Sequence, residues 1–475
     1  MKMLNEEQIW QMVDLKKAEF IALSDRVFET PETLYNEYKS VAEHVKTLKS
    51  EGFRITEGIC GMPTAVMGEA GDKGPVIAIL GEFDALPQLS QAPGVAEPSP
   101  IEVGGNGHGC GHNLLGSAAM QAATSLKNWM TETGTEGIIR YYGCPAEEGG
   151  AAKTFMVREK AFEDVDVAIT WHPGSLTGVV RGSSLANCRV DFMFEGRASH
   201  AAGAPHLGRS ALDAIELMNV GVNYMREHMP DKARIHYAII DGGGISPNVV
   251  QSKGRVRYVV RDENTPKMLK LLERVKKIAR GAAMMTETKV KIKMLAGVSN
   301  LIYNETLGEV MQRNLDLLGP PVFTNKERQY AKKMQSTMSY NDIETAYLQA
   351  GISEVKDQVL AESIVPPNAK EIGMSGSTDV ADVSWVVPTV QLWGANYTIG
   401  TPFHSWQMTA QGKSSIAIKG MTHAATAMAA TGVDVLLDKK LREEAWLDLQ
   451  KLLDQNAYVS PLLDNAKPPI KDMAP

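Results

Sequence analysis

Asn106-Gly107-His108-Gly109-Cys110-Gly111-His112-Asn113-Leu114-Leu115-Gly116 leads into a long Ala-rich segment of a chain of 475 residues. Glycines at 107, 109 and 111 remove three side chains, so the backbone can turn tightly and a large group can come close. What remains is one thiol and two imidazoles on a bare loop. A thiolate with neutral imidazoles is a donor set for divalent metals. The stretch reads as the floor of a metal site, with Cys110 and His112 as ligands. The bland alternative is a Gly-rich loop before a helix, holding a buried cysteine and ordinary histidines.

Working outward, Leu114–Trp129 reads as a helix whose N-terminal dipole favours a thiolate at Cys110. Upstream, Val76–Leu80 is a continuous apolar run bounded by Gly74-Pro75 and Gly81, and it enters Gly81-Glu82-Phe83-Asp84-Ala85-Leu86-Pro87. Downstream, strand Gly137–Tyr142 runs into Glu147-Glu148-Gly149-Gly150, and strand Val165–Trp171 ends on His172-Pro173. Helical patterns at residues 6–29 and 38–50 precede these strands. Continuous apolar strands between helices indicate an α/β fold, with a mixed, largely parallel sheet flanked by helices. Open sheets of this kind bind ligands beyond the C-terminal ends of their strands. Three successive strands deliver polar groups there, which weighs against the bland alternative.

At residue 186 the pattern changes to strand 186–195, helix 208–226, strands 235–240 and 256–261, helix 266–283 and strand 290–294. The order βαββαβ is the ferredoxin-like arrangement. Residues 186–297 are therefore expected to form an inserted second domain, with 1–185 and 298–475 forming the first. Asn304–Leu318 reads as a helix, residues 319–370 as irregular and polar, and Ser414–Ala430 as a buried small-residue helix. Asn465–Pro475 reads as a frayed tail.

A net charge of −7 gives no electrostatic reason to expect nucleic acid as a partner. Four cysteines, Cys60, Cys110, Cys144 and Cys188, are too few for a disulfide scaffold. There is no basic-then-apolar leader and no apolar run of membrane-spanning length. No membrane association and a reducing, cytoplasmic setting are expected.

The candidate ligands are Cys110, His112, Glu148, His172 and His404, the last in Gly400-Thr401-Pro402-Phe403-His404-Ser405-Trp406. Two divalent ions ~3.5–4 Å apart need several protein ligands, one of them bridging, and a thiolate can bridge. Such ions acidify water, and a neighbouring carboxylate can take its proton and pass it to a leaving nitrogen. Glu147, beside Glu148, suits that general-base role. Asp84 and His108 are placed behind the ligands, orienting them.

These residues together resemble the aminoacylase/carboxypeptidase-type dinuclear metallohydrolases, in the branch of the hippurate and indole-3-acetyl-amino-acid hydrolases. The resemblance covers nearly the whole chain. Its motifs occur in family order: Gly81–Pro87, His108-Gly-Cys110-Gly-His112-Asn113, Glu147–Gly150, Ser199-His200-Ala201-Ala202, Pro205-His206-Leu207-Gly208 and Pro402-Phe403-His404. It implies a metal-dependent amidohydrolase that cleaves N-acyl or N-aroyl amino acids. It also implies that 186–297 is a lid or dimerisation domain, in a homodimer or a heteromer with a homologous subunit. His200 would stabilise the tetrahedral oxyanion, often across the subunit interface. Asn248 would contact the substrate carboxylate, with His206 and Arg261 as further binding candidates. A thiolate ligand leans towards zinc and carboxylates towards manganese; the resemblance tips the choice to two Mn²⁺ ions, with Zn²⁺ the alternative. One departure is Asn113, where the branch carries Asp, a change expected to remove a charge from behind the ligands.

Two other classes remain open at this stage. One is a metal-free thiol hydrolase with Cys110 as nucleophile and His112 as base. The other is a catalytically silent, ligand-binding subunit.

Overall fold

The computed structural model describes residues 2–369, 376–463 and 466–473, the first few of these as backbone only. Its strands are β1 (Arg54–Glu57), β2 (Val66–Lys73), β3 (Val76–Glu82), β4 (Gly137–Cys144), β5 (Val167–Gly174), β6 (Gly178–Val179), β7 (Ala186–Glu195), β8 (Arg234–Asp241), β9 (Lys253–Asp262), β10 (Lys289–Val298) and β11 (Thr389–Ala395). One sheet has the order β1-β2-β4-β3-β5-β11-β6. Its centre, β4-β3-β5-β11, is parallel, and its margins are antiparallel.

β3 shows why the central strands read as continuous apolar runs. Ile77 and Ile79 enter one core with helices Lys2–Phe28, His112–Thr133 and Ser415–Leu437. Val76, Ala78 and Leu80 enter a second core with Phe155 and Met156 of helix Ala152–Arg158. Both faces are buried, so no polar alternation is possible. The α/β class expected from the sequence is the class observed.

The second sheet, β10-β7-β9-β8, is antiparallel throughout. Helices Ala211–Met225 and Thr265–Met285 cover one face, packing Ile215, Met218, Leu272 and Val275 on Val190, Phe192, Val256 and Tyr258. This strand order, with two helices on one face, is that of the ferredoxin-like arrangement.

Two stretches differ from expectation. Residues 319–370 contain helices Asn325–Gln335 and Tyr340–Gln349. Each opens on a capping box, Thr324 with Glu327 and Ser339 with Asp342. Caps start these helices where apolar periodicity is sparse. In the tail, Ile470–Met473 is helical, Met473 is buried, and Asp472 pairs with Lys293 at 2.7 Å. Asn465, Ala474 and Pro475 of that tail lie outside the described residues.

Helix His112–Thr133 crosses β3 at Gly116. A Cβ there would meet Glu82 O at 2.5 Å and His44 Cε1 at 2.7 Å. The glycine thus sets how closely the helix bearing His112 approaches the strand bearing Glu82. Gly116→Val is expected to lower stability by about 1–3 kcal/mol, the usual scale of overpacking, read as a fall in the urea midpoint.

Candidate active site

β3, β4 and β5 are neighbours in the parallel centre, and their C-terminal ends converge. Glu82 ends β3 with Asp84 just beyond it, Glu147 and Glu148 follow β4, and His172 lies near the end of β5. The Gly-rich loop comes from between β3 and β4. Gly111 caps helix His112–Thr133 at φ 74°, and a Cβ on it would lie 2.1 Å from Tyr397 Oη. Only glycine fits that position. The loop holding His404 is tied to this one, since His404 N donates to Gly109 O at 2.9 Å.

Two buried carboxylates, Asp84 and Glu37, hold the groups in place. Asp84 accepts from His112 Nδ1 at 2.8 Å and from Glu148 N at 2.9 Å, so one side chain fixes an imidazole and a turn together. His112 Nε2 is left facing inward, 3.4 Å from Glu82 Oε2 and 4.0 Å from Glu148 Oε1. Glu37 accepts from Ala146 N at 3.0 Å. The Glu147–Gly150 turn runs between Ala146 and Ala151, both left-handed at φ 54° and 53°. Such non-glycine backbone costs about 1–3 kcal/mol and persists only where its surroundings over-determine it.

Cys110, His112 and His172 bring one ligand atom each within 4.8 Å of one another, and so do Cys110, Glu148 and His404. Cys110 is common to both trios. Cys110 Sγ lies 3.5 Å from His172 Nε2, and His404 Nε2 lies 3.3 Å from Glu148 Oε2. His172 Nδ1 donates to Pro173 O at 2.9 Å, which turns its Nε2 towards the thiol. A third trio is Glu82, His112 and Glu147. All five sequence-derived ligands, and Glu147, therefore converge.

These residues fit divalent cations. His112 Nε2, Glu148 Oε1 and Glu82 Oε2 are buried with no hydrogen-bond partner among the described residues, a cost that a bound cation removes. Burial pushes the Cys110 thiol far up, with Glu148 acting the same way. A thiolate here needs a cation to displace its proton. Burial opposes charge on His112, yet Cys110 and Asp84 hold it well above the ordinary histidine value. Burial pulls His172 down to about 4. Burial also pushes the Glu147 carboxyl well up, helped by Glu82 and Glu148. Against its own burial, Glu148 is drawn down to about 2 by His404 and His112.

Other expected residues lie elsewhere. His108 Nε2 donates to Val27 O at 3.1 Å and the ring stacks on Phe28, so its hydrogen bond goes to the first helix and not to a ligand. Asn113 Nδ2 donates to Ser24 Oγ and Gly412 O. Asn113 thus ties the start of its helix to the first helix and to Gly412, a position where an Asp would carry a charge that Asn lacks. His200, His206 and Asn248 are exposed on the second sheet's loops. His200 Nδ1 accepts from Ala202 N and Gly203 N, and Ala201 N donates to Asn248 O. Among the described residues, none of these three bonds to the cluster. Arg261, on β9, is half-buried and donates to Ser377 Oγ at 2.6 Å.

Sequence reasoning missed Lys153 and Asp379 and gave Glu82 no role. Lys153 is fully buried, with Nζ 2.6 Å from Glu82 Oε1 and 2.7 Å from Asp379 Oδ1. Against its burial, those two acids keep it charged. The available signal was a lysine in the first turn of helix Ala152–Arg158, just ahead of the apolar run Phe155-Met156-Val157.

The family model described as the M20 peptidase dimerisation domain matches residues 181–284. The chain is 41% identical over 480 residues to one of the p-aminobenzoyl-glutamate hydrolase subunits of Escherichia coli, covering 98% of this chain and 100% of that protein. Among solved structures, a dinuclear metal binding peptidase of the M20 family from Bacillus subtilis superposes with a TM-score of 0.55 at 17% identity, covering 89% and 99% of the two chains. An aminobenzoyl-glutamate utilization protein from Klebsiella pneumoniae gives 0.54 at 16%, covering 88% and 97%. At such identities the likeness is one of fold, whereas the Escherichia coli relative fixes the family. The chain belongs to the M20 family, as a metal-dependent amidohydrolase in the branch of that p-aminobenzoyl-glutamate hydrolase.

Proposed function

We propose that the protein hydrolyses the amide bond of N-aroyl amino acids, with p-aminobenzoyl-glutamate the first substrate to test. The observation that carries this reading is the pair of ligand trios sharing Cys110, with Glu147 beside them. The similarity to the Escherichia coli hydrolase supplies the substrate class.

In this reading Cys110, His112, Glu148, His172 and His404 would hold two divalent ions, manganese first and zinc the alternative, with Cys110 common to both ligand trios. When bound, the ions polarise the scissile carbonyl and acidify water. Glu147 takes the water's proton and passes it to the leaving nitrogen. Its buried, acid-crowded position raises its proton affinity, which suits a group that must hold a proton and then release it. Asp84 fixes the tautomer of His112. Lys153 offsets the charge of Glu82 under the cluster. A reducing compartment such as the cytoplasm keeps Cys110 free, as all four cysteines are here.

Residues 1–185 and 298–475 would then form the catalytic unit, and 186–297 the lid and dimerisation unit. Helix Ala211–Met225 exposes Leu217, Val220 and Tyr224, and the edge strand β8 exposes Tyr237, Ile239 and Ile240. An apolar sheet edge of this kind invites pairing. The partner is a second copy or a homologous subunit. His200, which makes no bond to its own cluster among the described residues, then serves the partner's oxyanion.

Cys110→Ser and His112→Ala are expected to lose bound metal together with activity. Elemental analysis checks this, and full occupancy in both variants would overturn the ligand assignment. Glu147→Gln is expected to keep its metal while turnover falls about 10²–10⁴-fold, the scale of general-base contributions. Near-normal turnover would place the base elsewhere. Activity that survives exhaustive chelation would favour the thiol mechanism. Mixing Glu147→Gln with His200→Ala under subunit exchange is expected to restore activity, because a mixed dimer has one site with both groups intact. Demonstrated exchange without recovery would confine His200 to its own subunit.

A further inference from the structure

The face of the second sheet opposite helices Ala211–Met225 and Thr265–Met285 is strongly basic, and the short tail helix Ile470–Met473 meets it at Arg257 and Lys293. Val190, Phe192, Val256, Tyr258 and Val260 point to the helices, so alternation sends Arg189 and Asp191 of β7, and Arg255, Arg257 and Arg261 of β9, to the opposite face. Asp191 accounts for two of these cations, accepting from Arg257 Nε at 2.7 Å and lying 3.6 Å from Arg255. Arg189 and Arg261 have no carboxylate partner among the described residues.

Both stand beside the cluster. Arg189 Nη2 is 3.4 Å from Glu148 O, and a Cβ on Gly149 would come within 2.2 Å of Arg189 Nη1. The glycine thus lets the guanidinium rest on the turn that carries Glu147 and Glu148. Arg261 feels the charge of Glu147, and burial opposes its own. Burial, Arg257 and Arg261 together pull Arg189 down to about 10. Glu148 and Asp191 act on Arg189, and Glu147 on Arg261, without forming an ion pair with either, so both forks remain available to an arriving carboxylate.

Amide hydrolysis of an N-acyl amino acid presents one carboxylate on the leaving half whatever the amino acid. One guanidinium serves it, and a second is needed only where there is a second carboxylate. We propose that Arg189 binds the side-chain carboxylate of an acidic leaving amino acid while Arg261 takes its α-carboxylate, so the pair selects N-acyl glutamates and aspartates over neutral analogues. The planar fork of each arginine matches a carboxylate with two parallel hydrogen bonds. This rests on the amidohydrolase reading above and adds the residue that reads the side chain.

The test compares kcat/KM of the metal-loaded protein on N-(4-aminobenzoyl)-L-glutamate and on its L-glutamine counterpart, which differs only in the charge of the side chain. The wild type should prefer the glutamate compound. In Arg189→Gln the glutamate-to-glutamine ratio should collapse by up to about 10²-fold, the scale of a lost hydrogen bond to a charged group, and chiefly through KM. Arg189→Lys should keep part of the ratio, because charge remains without the fork, and it carries the comparison if the glutamine variant folds poorly. In Arg261→Gln both substrates should weaken together. If Arg189→Gln and Arg189→Lys lower both substrates alike, Arg189 only props the Glu148 turn and the proposal is overturned. A wild type that cleaves both compounds equally overturns it too, with the amidohydrolase reading intact. A wild type that cleaves no N-aroyl amino acid overturns that reading, and this one with it.

Discussion

Asp84 is the constraint on which the site depends. Its two oxygens hold different parts of the chain: one fixes the ring of His112 at the start of a helix, the other the backbone of Glu148 after β4. An imidazole held at Nδ1 can present only Nε2, so a single buried carboxylate determines both a tautomer and a direction. The edge-on packing of His112 on His172, the bond His172 Nδ1 gives to Pro173 O, and the bond His404 N gives to Gly109 O complete the arrangement.

Beneath this lies a second charged layer. Lys153, between Glu82 and Asp379, is a cation inside a protein core, and it persists because both neighbours are anions. Removing one member of such a set leaves an uncompensated buried charge, typically worth about 3–5 kcal/mol. The cluster above is rich in carboxylates, so the lysine also reduces the repulsion that Glu147 meets from Glu82. Electrostatic balance and stability are supplied by the same three side chains.

Much of this was legible in the chain because the signals were local. β3 advertises burial on both faces through an unbroken apolar run, and the Gly-spaced loop advertises an approach no side chain could permit. The ferredoxin-like order followed from periodicity alone. What escaped reading was non-local or carried by other signals. Lys153 looks like a surface residue until Glu82 and Asp379, far apart in sequence, are brought to it. Helices Asn325–Gln335 and Tyr340–Gln349 are too polar for periodicity to reveal, and only their capping boxes mark them. His108 and Asn113 sit in a motif dominated by ligands, yet their hydrogen bonds go to neighbouring helices and loops. Sequence adjacency to a site does not fix the direction of a side chain.

The strand order has a consequence for assembly in time. β11 pairs in parallel with β5, Thr389 beside Ala168, across the whole of the second sheet and the helices after it. Cys110, His112 and His172 belong to the segment before that excursion, whereas His404 arrives just after β11. Closing so long a loop comes late in folding. The first trio is therefore complete within one stretch of chain, whereas the second needs His404 from beyond the second sheet, so the whole site exists only where β11 has closed on β5.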